Sequence, residues 1–119
     1  MHYVLLIHGD ESRALQMTPE QIQEARAAVM PDWLALFADL EQSGKLVDGN
    51  ELTMSTDAKT VRVRDGKALV TDGPYAETKE ALGGYFLLDC DNLDEAIEWA
   101  AKVPSASRGV VEVRPVVEH

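Results

Sequence analysis

The chain predicts an α+β fold: a ferredoxin-like βαββαβ order with a β-hairpin inserted at its midpoint and two helices on one face of an antiparallel sheet. Three observations predict it. Two segments with helix caps and apolar residues every three or four positions lie far apart in the chain. Short runs rich in β-branched and aromatic residues flank each of them. Between the two halves, Asp65-Gly66 joins two further such runs, the strongest short-range hairpin signal there is.

Residues 2–8 are nearly all apolar, which predicts a strand buried on both faces, ended by Gly9-Asp10-Glu11-Ser12. Thr18-Pro19-Glu20-Gln21 starts a helix, with Thr18 as N-cap, Pro19 in the first position and Gln21 placed to close a capping box. Ile22, Ala25, Val29, Trp33, Leu36 and Leu40 then form one apolar stripe, and Gly44 is the C-cap. Pro31 falls inside this pattern and is expected to kink the helix or to start a second one. Lys45–Thr53 and Lys59–Arg64 read as strands, and Lys67–Val70 completes the hairpin. Gly83-Gly84 precedes a strand over Tyr85–Cys90. Asn92 caps a second helix, with Glu95 in its third position and Ala96, Ile97, Ala100 and Val103 facing inward until Pro104 stops it. Gly109–Val117 is the closing strand, where Pro115 fits only at an edge or a bulge.

With 119 residues, residues 1–119 read as one domain. Area scaling gives such a chain a folded surface of roughly 6,400 Å² against roughly 19,000 Å² unfolded, enough burial for a core without staples. Acids outnumber bases 21 to 11, a net charge of -10 spread along the chain, with 10 acids to 4 bases in residues 1–60 and 11 to 7 in the rest. That balance repels phosphate backbones and anionic bilayers, so neither nucleic acid nor a membrane surface is an expected partner. One cysteine, Cys90, makes no disulfide framework, and the N-terminus lacks the basic region of a signal peptide. A cytoplasmic location is expected.

Two helices cover one face of a sheet, yet the strands carry apolar residues on both parities: Val4 and Leu6 against Tyr3, Leu5 and Ile7, and Phe86 and Leu88 against Tyr85 and Leu87. Left wet, the second face exceeds the apolar patch a monomer ordinarily exposes. A homodimer packed sheet on sheet is the expected solution, with a hetero-partner or an aggregation-prone monomer as the alternatives.

Chemistry has few candidates. Asp72-Gly73-Pro74-Tyr75-Ala76-Glu77-Thr78-Lys79-Glu80 reads either as a turn and one helical turn with solvated charges, or as a rigid loop holding Asp72, Glu77 and Glu80 near a pocket walled by Tyr75. His8 ends the first strand and could act as a base beside Asp10 or Asp72, or simply bond to backbone. His2 and His119 are terminal bystanders. Arg62 and Arg64 share one face of the hairpin, and Glu112 and Arg114 one face of the last strand; these side chains are solvated or in cross-strand ion pairs, or else Arg62 and Arg114 anchor a carboxylate or phosphate. Trp33, Phe37 and Trp99 read as core aromatics, with Trp33 the one also placed to wall a cavity. No histidine pair at helical spacing, no thiolate cluster and no G-x-G-x-x-G loop is present, so no metal, haem or dinucleotide cofactor is expected.

The segment Asp72–Glu80 resembles the D-G-P-F-A-E-T-K-E signature of the DGPF, or YCII-related, family at eight of nine positions, Tyr75 standing for Phe. The likeness extends over Tyr3–Ile7, Gly9-Asp10-Glu11, Thr60-Val61-Arg62, Gly83-Gly84-Tyr85, Asp94–Ala100 and Val111–Pro115. It implies a dimeric α+β barrel. Members are largely uncharacterised bacterial proteins whose genes often accompany extracytoplasmic-function sigma factors, and related YCII proteins carry a proposed catalytic histidine–aspartate pair. An ungapped match of Pro31–Gly44 puts Trp33 at the histidine position and Gln42 near the aspartate, neither able to transfer a proton at neutral pH. The resemblance therefore implies the fold without that dyad.

Two functions follow as expectations. One is a cofactor-free lyase- or isomerase-like enzyme acting on a small polar or anionic metabolite in the dimer cleft, with His8 or Asp72 as proton shuttle. Arg62, Arg114, Tyr75 and Glu77 would then contact the substrate. The other is a small-molecule-binding or regulatory module associated with a sigma factor, which needs a cavity and no proton-transfer pair.

Overall fold

The computed structural model describes residues 1–119. Its elements run β1 (His2–Asp10), α1 (Pro19–Ser43), β2 (Leu46–Glu51), β3 (Lys59–Arg64), β4 (Lys67–Asp72), β5 (Glu80–Asp89), α2 (Leu93–Ala101) and β6 (Val110–Pro115). Four strands form one antiparallel sheet in the order β2-β5-β1-β6, and β3-β4 stand apart as a two-stranded sheet. This is the ferredoxin-like split βαβ arrangement with the hairpin inserted between β2 and β5. Pro115 lies on the edge strand β6, opposite Tyr3, where its missing N–H costs no ladder bond.

The local signals act as their chemistry dictates. Thr18 Oγ1 accepts from the Gln21 amide at 3.2 Å while Gln21 Oε1 accepts from the Thr18 amide at 3.0 Å, closing the capping box. Gly44 ends α1 in the left-handed region at φ 71°. Asn92 Oδ1 accepts from the Glu95 amide at 2.9 Å at the start of α2. Asp65 and Gly66 both take positive φ, 52° and 74°, the turn whose twist matches a two-residue hairpin.

Both helices lie on the same face of the sheet. Leu36 and Leu40 of α1 and Ala96 and Ala100 of α2 pack with Tyr3, Leu5, Phe86, Leu88, Cys90 and Val103 in one core. The opposite face carries Val4, Leu6 and Leu87 as a half-buried central strip, bordered by Asp48 and Asn50 on β2 and by Glu112 and Arg114 on β6. Nothing in the chain covers that strip.

Several details depart from the sequence reading. Helix α1 is unbroken from Pro19 to Ser43, with Pro31 inside it. Pro31 is exposed, and a single helix lets Trp33, Leu36 and Leu40 beyond it pack on the same sheet as the residues before it. Strand β5 begins at Glu80, so Gly83-Gly84 lie within a strand rather than ahead of one. Residues 73–79 form bends with no helical turn. Strand β2 is shorter than Lys45–Thr53. On α2, Ala96 and Ala100 one turn apart make the buried contact, and Ile97, turned off that lane, is 48% exposed.

Candidate functional site

A cavity of about 480 Å³ lies between α1 and the helix-facing side of β2, β5 and β1, within the usual range for small-molecule sites. Met30, Trp33 and Phe37 of α1 overhang it, and Ile7, Gly84 and Phe86 lie beneath. The three rings form a cluster: Trp33 stands 6.0 Å from Phe37 and 6.4 Å from Phe86, and Phe37 meets Phe86 edge-on at 6.2 Å. Such separations are those of attractive aromatic pairs.

The space exists because the sheet withholds side chains where α1 crosses it. Gly84 and Gly49 occupy helix-facing positions, Gly84 opposite Ile7 and Glu51, and Gly49 opposite Phe86. A Cβ on Gly84 would sit 3.0 Å from the Asn50 carbonyl oxygen, and one on Gly49 2.7 Å from Phe86 Cδ1. Gly84 is itself buried.

One ion pair joins helix to sheet at the cavity wall. Arg26 donates Nη1 to Glu51 Oε1 at 2.6 Å and Nη2 to Oε2 at 2.9 Å, a fork-to-fork contact. Hydrogen bonding to Glu51, then its charge, raises the Arg26 pKa, and hydrogen bonding from Arg26 lowers that of Glu51 against a smaller opposing effect of burial. Each partner thus holds the other ionised. Asp10 and Glu11 also line the cavity. Asp10 accepts from the Ser12 amide and hydroxyl at 2.9 and 2.6 Å, which lowers its pKa. Glu11 accepts from the Ser55 amide at 3.1 Å and from its hydroxyl. With His8 neutral, one base and three acids give the lining a net charge of -2.

The sequence-derived candidates fall into two groups away from the centre of this cavity. His8 touches the cavity rim and sits at a register shift in β1. Its Nε2 lies 3.5 Å from Glu112 Oε1, and Arg114 Nε donates to Glu112 Oε2 at 2.8 Å. Glu112 therefore links His8 to Arg114 on the uncovered side of the sheet, and neither Asp10 nor Asp72 is the partner of His8. The second group surrounds the hairpin. Asp72 pairs with Lys59 at the hairpin base. Arg62 lies over the Tyr75 ring, 5.6 Å from its centroid. Tyr75 is 81% exposed, and Glu77 is exposed with no ion pair. Neither Asp72, Arg62, Tyr75 nor Glu77 lines the cavity.

Cys90 is not a nucleophile in this setting. It is 1% exposed, and burial, with a smaller push from Glu95, raises its thiol to about 11. No three histidine, cysteine or acidic side chains are gathered as a metal-binding set. No helix is long and apolar enough to cross a membrane.

What sequence reasoning missed is the pairing of Arg26 with Glu51 and the two glycines beneath α1. A signal for the first was present: Arg26 and Met30 run beside the stripe of Ile22, Val29 and Trp33, so a lone charge interrupts an apolar helix face. The glycines carried no signal until register was known.

The sequence pattern of the YCII-related domain matches residues 1–119. An uncharacterised protein of Rhizobium meliloti (strain 1021) is 40% identical over 118 residues, which cover 98% of this chain and 92% of that protein. With the whole chain matched, the chain belongs to the YCII-related domain family.

Proposed function

We propose that this protein binds a small molecule in the cavity between α1 and the sheet, and that it does so as a homodimer. The observation that carries the reading is the cavity itself: an aromatic overhang above a glycine floor, closed by an ion pair whose members hold each other ionised. Arg26 and Glu51 are thereby a fixed polar anchor, since a group held firmly ionised is a poor proton shuttle at neutral pH.

The lining also selects among ligands. Its cation is already neutralised by Glu51, and two further carboxylates remain. Arg62 and Arg114, expected to anchor an anion, lie elsewhere. The ligand class favoured is a flat apolar body carrying a neutral or cationic head. Titrating 2-phenylethylamine and 3-phenylpropionate separates the two charges on nearly the same body. The amine should raise the unfolding temperature of the protein with the logarithm of its concentration above the dissociation constant, and the carboxylate should not. Equal stabilisation by both, or by neither, contradicts the reading.

Dimerisation is supported by the uncovered face, whose apolar strip of Val4, Leu6 and Leu87 lies between polar borders, the anatomy of a protein interface. A second reading, catalysis, is favoured by one observation: the His8–Glu112–Arg114 row on that same face, where the His8 imidazole lies 3.5 Å from a carboxylate. Incubation with a cell metabolite extract tests it. A metabolite consumed by the wild type and not by His8→Ala supports catalysis, and retention without consumption supports binding alone.

A further inference from the structure

The hairpin β3–β4 is the least explained element of the molecule. It shares no ladder with the four-stranded sheet, and its own two strands are closed at the base, where the Gly73 amide donates to the Ala58 carbonyl and Thr60 Oγ1 to the Gly73 carbonyl, both at 2.8 Å. An isolated two-stranded ribbon is marginal in water. This one nonetheless presents Val61, Val63 and Val70, which share one face with Ala68 through the pairs Val61↔Val70 and Val63↔Ala68. The three valines are 60%, 62% and 61% exposed. β-branched side chains aligned on one side of an arm are built to be covered.

Charge says by what. Residues 59–72 hold Lys59, Arg62, Arg64 and Lys67 against Asp65 and Asp72, a net +2 within a chain of -10, which leaves -12 on everything else. Lys59 on the valine face is paired with Asp72, and Arg62, Arg64 and Lys67 lie on the other face, so the arm's charge attracts an acidic second copy at long range while the valines make the contact. Area agrees. The chain exposes 8522 Å², roughly 2,100 Å² beyond the surface expected of a compact chain of its mass, where a standard interface takes about 800 Å² from each partner. Its radius of gyration is 16.3 Å and its extents are 46 × 45 × 19 Å, against roughly 13–14 Å for a compact chain of this length. The shape is a slab with an arm.

We infer that β3–β4 is a dimer clasp: in the homodimer, the arm of each protomer lies along the margin of its partner's uncovered sheet, valine face inward. The inference rests on the dimer proposed above and adds to it a dedicated element. Two-fold symmetry makes the exchange reciprocal, so one substitution removes two copies of the contact.

Sedimentation velocity on three proteins tests it, with circular dichroism to check folding. The wild type should sediment as twice 13.1 kDa. Val61→Glu/Val63→Glu, at positions already exposed within the protomer, should keep its spectrum while its dimer dissociation constant rises on the order of 100-fold or more. Reversing the arm's charge with Arg64→Glu/Lys67→Glu should weaken the dimer as well. Hydrogen exchange supplies a readout independent of folding defects: amides of β3 and β4 should slow as protein concentration rises through the dissociation constant. A wild-type dimer unaffected by Val61→Glu/Val63→Glu but dissociated by Leu6→Glu would overturn the clasp and leave the dimer standing. A wild-type monomer would overturn both.

Discussion

Replacing Arg26 by Met and Glu51 by Gln, singly and together, separates the coupling of this pair from the loss of either side chain. Unit charges about 4 Å apart attract by about 1 kcal/mol in water and about 4 kcal/mol at an effective dielectric of 20. The side chains are 53% and 62% exposed, so solvent screens them and the lower figure governs. The forked geometry places the pair at the top of the surface range, about 1 kcal/mol. The pH dependence has a definite sign. The Glu51 carboxyl is held below its ordinary value by Arg26, so the unfolded chain takes up that proton first as pH falls. The coupling is therefore fully present above the ordinary glutamate range, near 4.3, and is lost as pH falls through the lower folded-state value. Urea unfolding of the four proteins at one protomer concentration, at neutral pH and again at about pH 2.5, reads both quantities. No measurable coupling at neutral pH, or a coupling of the same size in acid, would refute the reasoning.

Gly84→Ala puts a Cβ 3.0 Å from the Asn50 carbonyl, so denaturant unfolding should show a loss of about 1–3 kcal/mol, together with weaker binding of any cavity ligand. Thr18→Ala removes the side chain that caps α1 and should cost about 0.5–2 kcal/mol, which Thr18→Ser largely restores. Cys90, with its thiol raised to about 11, should resist a disulfide reagent at pH 8 in the native protein and react at once in denaturant; rapid native reaction would mean the α2 side of the core opens readily.

The parts of the fold governed by neighbours in sequence were legible in it. Thr18 with Gln21, Asn92 with Glu95, Gly44 and Asp65-Gly66 are local chemistry, and each specifies its cap or turn without reference to the rest of the chain. Pro31 shows where local reasoning ends. A proline mid-pattern argues for a break, but burial of Trp33, Leu36 and Leu40 beyond it against the same sheet favours one helix. The cavity was less legible still. Arg26 and Glu51 stand 25 residues apart, and Gly49 and Gly84 form a floor only after β2 pairs with β5 in one particular register. The signature segment drew attention to Asp72, Tyr75 and Glu77, whereas its structural work is to carry the chain from the hairpin base into β5.

The two tryptophans make the most direct test of the cavity, because Trp33 overhangs it and Trp99 lies outside it under Lys102. In a ¹H–¹⁵N spectrum, titration with 2-phenylethylamine should move the Trp33 indole and the Gly84 amide together and saturably, leaving the Trp99 indole in place. Unmoved Trp33 and Gly84 signals at millimolar amine, or a shift confined to Trp99, would contradict a binding site between α1 and the sheet.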